Sequence, residues 1–340
     1  MKQRDRLVAF AIALILVSYA PAGLQRPNGA VRVAAAAPTG HFKVVRVPTA
    51  GSDPRHITAG PDGNMWFTES NINVGQIGRI DAAGTVTEFV VPTPGSQPDD
   101  IVSGPDGALW FTAVSGFPDF FIGRITPAGQ MTGFSPCPPT APCSIVPGGI
   151  TSGPDGNLWF TEHLQNAVVR LTPAGVFTFF TIPTAAANPS GITLGPDGAL
   201  WFAENGVSQI GRIDTIGNIA EFRGLTGRPD RITAGPDGNL WFTEPLPADS
   251  KIGRITPANG AVAEFQVTLQ SQPSDIVTGT DGNLWFTEFN TEFLSQVTPA
   301  GVVTDVQKAR GGPFGIGRAS DGAIWIALMS GNKLGRFSLR

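Results

Sequence analysis

The sequence predicts an all-β fold, a seven-bladed β-propeller with four-stranded antiparallel blades, and three observations support this prediction. All seven tryptophans of the 340-residue chain recur at intervals of 40 to 49 residues, which indicates an internal repeat. An Asp-Gly pair begins four residues before each tryptophan. Glycine and proline contribute 43 and 30 residues, and 41% of the chain is hydrophobic, which is typical of a turn-rich globular protein. The tryptophans are Trp66, Trp110, Trp159, Trp201, Trp241, Trp285 and Trp325.

Each copy of the repeat predicts four short strands. A hydrophobic strand such as residues 232–234 leads into the Asp-Gly pair, and the tryptophan strand, an Ile-Gly-Arg-Ile strand and a final strand such as residues 85–91 follow. The glycine can adopt the positive φ of a tight hairpin, so the first two strands are antiparallel. Four-stranded units at this period fit a β-propeller. The turn aspartates are Asp62, Asp106, Asp155, Asp197, Asp237, Asp281 and Asp321.

The two ends of the repeat region complement each other. Residues 333–337 have the pattern of a third strand, and the chain ends without a fourth. Residues 41–49 match the fourth-strand pattern seen at residues 179–184. We therefore expect the propeller to span residues 41–340 and the N-terminal strand to close the last blade, which removes an exposed sheet edge.

Residues 1–20 predict a secretory signal peptide. Three basic residues precede an apolar run at residues 7–17, and small residues follow at the position that signal peptidase recognises. The run is shorter than the about 20 residues of a membrane span, and an uncleaved anchor, the one case with a membrane contact, is the alternative. Residues 21–40 lack periodicity and are interpreted as a flexible leader. We expect a secreted, periplasmic or cell-surface protein.

The chain has two cysteines, Cys137 and Cys143, in a proline-rich segment. In an oxidising compartment they predict a disulfide that staples one loop. A metal-binding or redox pair is the alternative, although the spacing is not Cys-x-x-Cys and no histidine is near in sequence.

The charge balance argues against one class of partner. Charged residues make up 15% of the chain and the net charge is −4, so no basic surface is available to attract nucleic acid. We expect no nucleic-acid partner, and we expect a monomer.

The sequence also indicates which rim of the propeller binds ligands. The segments that begin the inner strands, each just after a proline, differ most between copies, and variable loops on a rigid scaffold usually carry binding. Two histidines belong to this rim and are possible proton shuttles or ligands. The candidate residues for contact with a small-molecule or protein ligand are Arg55, His56, Asp99, Asp100, His163, Asp230 and Arg231.

A series of glutamates ends the tryptophan strands at the same rim. A carboxylate cluster could hold a hard cation at the channel mouth. The alternative, which the repetition favours, is a repeated structural ion pair or backbone hydrogen bond, because four of these five blades carry an arginine in the next strand. The glutamates are Glu69, Glu162, Glu204, Glu244 and Glu288, and the arginines are Arg79, Arg170, Arg212 and Arg254.

The repeat resembles that of the streptogramin B lyase (virginiamycin B lyase) family. The resemblance rests on Gly-Pro-Asp-Gly-Asn-Leu-Trp-Phe-Thr-Glu at residues 235–244 and Lys-Ile-Gly-Arg-Ile-Thr at residues 251–256, and it extends over residues 41–340. It implies a seven-bladed propeller that opens cyclic depsipeptides by Mg²⁺-dependent elimination at an ester bond. In such a reaction a base removes the proton next to a carbonyl group while the metal stabilises the enolate.

The chain departs from this family at the positions that carry the chemistry. Family members have Glu-Pro-His-Gly-Ile where this chain has Gly-Pro-Phe-Gly-Ile at residues 312–316. The resemblance therefore places Phe314 at the position of the catalytic base and Gly312 at that of a magnesium-binding glutamate. It places Ser274 at a substrate-contacting histidine and Met329 at the second magnesium-binding glutamate.

Two main hypotheses follow from these departures. The first is an exported binding module without the family's catalytic residues and without a cofactor. The second is a divergent lyase or hydrolase that uses rim carboxylates, a metal such as Mg²⁺, and His56 or His163 as base. One observation argues against a relocated site. His56 stands one residue beyond the expected position after Pro54, and in a regular strand a shift of one residue turns the side chain to the opposite face. A cell-surface adhesion or assembly protein is a third hypothesis.

Overall fold

The computed structural model describes residues 38–114, 120–136 and 145–339. These residues form 28 strands in seven four-stranded antiparallel sheets, and the predicted seven-bladed propeller is confirmed. Two short 3₁₀ turns, Pro247–Asp249 and Met329–Gly331, are the helical elements of the described ranges. No helix of membrane-spanning length and hydropathy occurs in those ranges.

The first four blades follow one another along the chain in strand order. Blade 1 contains β2 (Pro54–Ala59), β3 (Met65–Glu69), β4 (Gln76–Ile80) and β5 (Val86–Val90). Blade 2 contains β6 (Gln97–Ser103), β7 (Leu109–Val114), β8 (Phe120–Ile125) and β9 (Met131–Phe134). Blade 3 contains β10 (Pro147–Ser152), β11 (Leu158–Glu162), β12 (Ala167–Leu171) and β13 (Phe177–Thr181). Blade 4 contains β14 (Pro189–Leu194), β15 (Leu200–Glu204), β16 (Gln209–Ile213) and β17 (Ile219–Phe222).

The last three blades have the same order, and the final blade takes its outer strand from the start of the described chain. Blade 5 contains β18 (Ile232–Ala234), β19 (Leu240–Glu244), β20 (Lys251–Ile255) and β21 (Val262–Gln266). Blade 6 contains β22 (Pro273–Thr278), β23 (Leu284–Glu288), β24 (Phe293–Val297) and β25 (Val303–Lys308). Blade 7 contains β26 (Pro313–Arg318), β27 (Ile324–Leu328), β28 (Lys333–Leu339) and β1 (Gly40–Arg46).

Closure of the ring by the N-terminal strand is confirmed. β1 pairs with β28 antiparallel from Gly40 opposite Leu339 to Arg46 opposite Lys333. Asn332, in the left-handed conformation at φ 51°, stabilises the contact between the two ends of the ring. Its side-chain amide donates to the carbonyl oxygens of Val47 and Thr49, and its Oδ1 accepts from Ser52 N at 2.8 Å. The closing strand is thus held by side-chain hydrogen bonds as well as by the sheet.

The Asp-Gly turns determine the position of the tryptophans. In blade 1, Gly63 takes the positive φ of 80° that the tight turn requires. The Asp62 carboxylate accepts a hydrogen bond from Trp66 Nε1 at 3.0 Å and others from Asn64. Blades 1 to 6 all have this Asp–Trp bond, at 2.9 to 3.2 Å. The polar atom of each buried indole is therefore satisfied by its own turn.

The hydrophobic core lies between blades. Trp66 of blade 1 packs in one cluster with Leu109 and Phe111 of blade 2, and equivalent clusters follow around the ring. A Cβ on Gly123 would lie 2.1 Å from the Phe111 ring, so the glycine of the Ile-Gly-Arg strand leaves the space that this ring fills. Each blade buries its faces against its neighbours, as the repeat predicts.

The expected ion pair between strand-end glutamates and Ile-Gly-Arg arginines is wrong, whereas the backbone hydrogen bond given as its alternative is found for Arg79, Arg170 and Arg254. Across β3 and β4, Glu69 is opposite Gln76 and Arg79 is opposite Trp66, because an antiparallel register places the arginine three residues away from the glutamate. Arg79 lies over the Trp66 ring at 5.6 Å and donates to the carbonyl oxygen of Pro127 in the next blade. The other three arginines have similar places: Arg170 and Arg254 donate to Thr215 O and Pro299 O, and Arg212 pairs with Asp197.

Several sequence-based predictions lie outside the described residues. The signal peptide at 1–20, most of the leader at 21–40, and the Cys137–Cys143 disulfide fall there, and they remain predictions.

Candidate functional site

A bulge interrupts the beginning of six of the seven inner strands. In blades 1, 2, 3, 4, 6 and 7 the register shifts between the proline and the isoleucine three residues later. The seven isoleucines line a cavity of about 200 Å³ together with four charged or titratable side chains: His56, Asp100, Arg231 and Asp275. The isoleucines are Ile57, Ile101, Ile150, Ile192, Ile232, Ile276 and Ile316.

Arg231 is the centre of the polar group at this cavity. It directly precedes β18 of blade 5, and its Nη1 donates to Asp100 Oδ2 of blade 2 at 3.0 Å. Its Nη2 lies 2.5 Å from His56 Nε2 of blade 1. The side chains of Arg231 and Asp100 are 14% and 17% exposed. Arg231 therefore connects three blades across the channel.

The hydrogen bonds of His56 specify its tautomer. Its Nδ1 lies 3.0 Å from the backbone oxygen of Asp99, which can only accept. Arg231 Nη2, at the other ring nitrogen, can only donate. The neutral ring with hydrogen on Nδ1 satisfies both contacts, so neither nitrogen of the buried His56 is free to accept a proton from a ligand while these contacts hold.

Asp275 completes the cavity, and it is missing from the candidate set predicted from the sequence. Its carboxylate accepts from Ile276 N at 2.8 Å and from Ile316 N of blade 7 at 3.1 Å. Asp100 makes the matching bonds with Ile101 N and Ile150 N. Burial raises the pKa of Asp275, although Arg231 opposes this shift. Its place two residues after a proline, shared with His56, Asp100 and Arg231, is the sequence signal that could have identified it.

Arg55, Asp99 and Phe314 form the mouth of the channel above this group. Arg55 Nε pairs with Asp99 Oδ1 at 2.8 Å, and its guanidinium lies 5.1 Å from the centre of the Phe314 ring. Burial would raise the pKa of Asp99, but Arg55, His56 and Arg231 together hold it well below its usual range. Arg55 is the more exposed partner, with 39% of its side chain accessible.

The expectation that His56 turns away from the base position is wrong. Its ring meets Phe314 edge-on, with centroids 5.3 Å apart. The bulge between Pro54 and Ile57 interrupts the two-residue alternation on which that expectation depended.

The other candidates lie apart from the cavity lining. The backbone oxygen of Asp230 accepts from Ser190 Oγ at 2.9 Å and from Gly191 N at 2.8 Å, and its side chain is half-buried. His163 lies in blade 3, where its Nδ1 is 3.1 Å from Asn188 Oδ1. The structure thus brings together Arg55, His56, Asp99, Asp100 and Arg231, but not Asp230 and His163.

The strand-end glutamates are fully buried within their own blades. Glu162 accepts backbone hydrogen bonds from Val146, Leu164 and Gln165. For Glu69, Glu204 and Glu244, burial and a second glutamate raise the pKa to about 8. Within the described ranges, no group of three or more His, Cys, Asp or Glu side chains is arranged to hold a metal ion.

The residues that the resemblance places at the family's catalytic positions do not fit Mg²⁺. Gly312 and Met329 offer no side-chain oxygen, and Gly312 adopts φ 68°, a conformation that disfavours most other residues. Ser274 is 6% exposed and donates its hydroxyl hydrogen to the carbonyl oxygen of Gln272. Phe314 has no atom that can accept a proton. A hard cation needs oxygen ligands, which these positions do not provide.

Comparisons with known proteins agree with this fold. The sequence model of the virginiamycin B lyase family matches residues 27–245 and 223–340. A solved streptogramin B lyase is 32% identical, with 88% of this chain and 98% of that chain covered and a TM-score of 0.78. A selenomethionine-substituted virginiamycin B lyase from Staphylococcus aureus is 33% identical, with 89% and 100% covered and a TM-score of 0.78.

A further similar structure carries a ligand. It is a catalytically inactive His-to-Ala variant of the Staphylococcus aureus virginiamycin B lyase with quinupristin, 34% identical, with 88% of this chain and 100% of that chain covered and a TM-score of 0.75. No curated protein matches the chain. The resemblance found in the repeat is confirmed by the family match and by these structures, and the chain belongs to the virginiamycin B lyase family.

Proposed function

We propose that the protein is an exported binding module that uses the lyase scaffold without the lyase reaction. The observation that carries this proposal is the packing of Phe314, which the resemblance places at the position of the catalytic base, against the Arg55 guanidinium and the His56 ring. A phenyl ring cannot remove a proton, and this ring fills the space beside the channel mouth. The nearest imidazole, His56, has both nitrogens engaged.

The same surroundings favour a ligand held on the rim. Arg231 and its partners cross the channel below, where the remaining cavity is only about 200 Å³, so we expect a ligand of depsipeptide size to rest on the mouth. Arg55 offers a partly exposed cation, and Phe314 with Phe289, whose rings meet edge-on at 6.3 Å, offers an aromatic surface. Such a pair suits a ligand with a carbonyl or carboxylate oxygen next to an apolar group.

The test uses quinupristin, the compound present with the inactive lyase. The protein is incubated with quinupristin, with and without Mg²⁺, and the compound is followed by liquid chromatography and mass spectrometry. We expect unchanged compound, and measurable binding by calorimetry that Arg55→Ala weakens at least tenfold. A Mg²⁺-dependent product of unchanged mass would overturn the proposal in favour of a divergent lyase, and a product heavier by one water would favour a hydrolase.

The Arg55→Ala variant also tests whether a ligand unrelated to quinupristin binds at the mouth. If quinupristin neither binds nor reacts, a screen of peptides and depsipeptides is compared between the wild type and the Arg55→Ala variant. Ligands that bind both proteins equally would contradict the mouth as the binding site.

Export is tested by fractionating producing cells and by sequencing the N-terminus of the mature chain. An intact N-terminus in the cytoplasm would contradict export.

A further inference from the structure

Blades 1, 4 and 5 each place a fully buried glutamate and a half-buried one on one face of the sheet. In blade 4, Glu204 is opposite Gln209 and Glu221 is opposite Gly211. Gln209 and Gly211 are two residues apart, so all four positions share one face. Blade 1 repeats this arrangement with Glu69, Gln76, Gly78 and Glu88.

The glycine in the middle allows the two carboxyl groups to approach. A Cβ on Gly211 would lie 2.6 Å from Glu204 Oε1, so the Glu204 side chain leans over this position. Glu221 is fixed in place because its two oxygens accept from Thr184 N and Oγ1, both at 2.8 Å. Repulsion from Glu221 acts on Glu204, and the exposed Arg223 offsets it only in part.

Buried oxygen atoms without hydrogen-bond partners lie on this face of blade 4. Glu204 is fully buried, and neither of its carboxyl oxygens has a hydrogen-bond partner. Gln209 is 7% exposed, and its Oε1 also lacks a partner. In blade 1, Gln76 Oε1 likewise has no partner, whereas a hydrogen bond from the Ser52 side chain partly offsets the effect of burial on the pKa of Glu69. Buried polar atoms left without a partner are costly.

Blade 5 has a lysine beside the corresponding pair, although both carboxyl oxygens of the buried Glu244 also lack a hydrogen-bond partner there. There Lys251 is opposite Glu244, at the position equivalent to Gln209, and Glu264 is opposite Gly253. Lys251 Nζ lies 3.5 Å from Glu264 Oε2 and donates to Thr226 Oγ1 at 2.6 Å. The chain thus supplies its own cation beside one glutamate pair and an amide oxygen beside the other two.

We propose that blades 1 and 4 each bind a hard cation of the Ca²⁺ class between the paired glutamates. Two carboxylates and one amide oxygen form an all-oxygen donor set, which is what Ca²⁺ prefers, and water completes the coordination. The cation takes the electrostatic role that the Lys251 ammonium has in blade 5. These sites are separate from the channel mouth and do not depend on the proposed function.

The test is a titration of the full chain with Ca²⁺ after treatment with chelator. Calorimetry should give two sites per chain, and saturating Ca²⁺ should raise Tm by on the order of 5 °C. Gln209→Lys, which copies blade 5, should reduce the stoichiometry from two to one, and Gln76→Lys in addition should abolish binding. Glu244→Gln in blade 5 is the matched control and should retain both sites.

Three outcomes would overturn the proposal. The first is the absence of Ca²⁺ binding and of any Tm shift at millimolar Ca²⁺, which would indicate that a shared proton satisfies each pair. The second is an unchanged stoichiometry in the folded Gln209→Lys variant. The third is loss of binding in Glu244→Gln. If Gln209→Lys does not fold, Gln76→Lys alone tests the same arrangement in blade 1.

Discussion

Arg231 and Asp100 are 131 residues apart in sequence, yet their side chains meet across the propeller channel at 3.0 Å. Arg231 belongs to blade 5 and Asp100 to blade 2, and the second arm of the guanidinium contacts His56 of blade 1. Because the contact joins blades that do not share a packing interface, it links distant parts of the ring. It also crosses the cavity of about 200 Å³ that these side chains line beneath the mouth.

Replacing Arg231 with methionine should destabilise the propeller. Methionine has a similar reach, but it leaves Asp100 charged and mostly buried without its cation. Removing one partner of a buried pair costs about 3 to 5 kcal/mol, and we expect the lower part of this range because Asp100 keeps two backbone donors. Urea unfolding of the full chain measures the loss.

The control for this variant is the double substitution Arg231→Met with Asp100→Asn. It removes the charge left without a partner, although the asparagine amide nitrogen cannot accept one of the two backbone hydrogen bonds, so the double variant should be at least as stable as Arg231→Met alone. A double variant less stable than the single one would show that Asp100 does not depend on Arg231.

Much of the fold can be predicted from the sequence because the same strand and turn pattern occurs in all seven copies of the repeat. Each Asp-Gly pair forces a turn, and the aspartate of the turn holds the tryptophan that follows in blades 1 to 6. Even the closing strand is visible, since residues 41–49 have a fourth-strand pattern without a blade of their own. Local chemistry and global fold agree in these elements, which is why a pattern is sufficient.

The site is less accessible to sequence reasoning because its geometry depends on bulges and on contacts across the ring. The alternation of a regular strand turns His56 away from Phe314, but the bulge after Pro54 brings the two rings together. Asp275 resembles other rim residues until the channel places it beside Arg231. The glutamates and the Ile-Gly-Arg arginines fail to pair for the same kind of reason, since the register that separates them is a property of the folded blade.

Asn332 should contribute measurably to ring closure. Asn332→Gly keeps the left-handed backbone without strain and removes the side-chain bonds to Val47, Thr49 and Ser52. Loss of several partly buried hydrogen bonds should lower the free energy of unfolding by about 2 to 3 kcal/mol, measured by urea unfolding.

Asn166 provides a matched comparison for Asn332. It has φ 54°, and its amide donates to Ile182 O and Thr184 O in the same way, but within a continuous chain. Asn166→Gly should cost a similar amount. A clear loss for Asn166→Gly with none for Asn332→Gly would mean that the sheet pairing of β1 closes the ring without help.

Because of the Asp–Trp hydrogen bond, the turn of blade 5 should contribute more to the stability of the fold than the turn of blade 7. Asp237→Ala removes the acceptor of Trp241 Nε1 at 3.0 Å and of Asn239, and a buried indole without a partner costs about 1 to 3 kcal/mol. In blade 7, Asp321 pairs instead with Arg336 at the surface, so Asp321→Ala should cost at most about 1 kcal/mol. Thermal unfolding of both variants measures their losses of stability. Equal losses would contradict the role of the indole hydrogen bond.

Glu244 should make the stability of the metal-free protein depend on pH. Its ordinary pKa of 4.5 is raised to about 8 by burial and by repulsion from Glu264, with Lys251 opposing. The native state therefore keeps a proton that the unfolded chain loses above pH 4.5. Raising the pH from about 4.5 to about 8 lowers the free energy of unfolding through this group, by up to about 1.4 kcal/mol per pH unit, and outside this window the contribution is constant.

Glu244→Gln isolates this contribution because glutamine has the same shape and does not ionise. Urea unfolding of the wild type and the variant, in chelator at pH 5, 6, 7 and 8, gives the difference in stability at each pH. The other titrating groups are common to both proteins, so the difference reports on Glu244. We expect the variant to gain on the wild type steadily from pH 5 to pH 8, whereas parallel curves would show that Glu244 is ionised in the folded blade and that its burial is compensated by a group other than a proton.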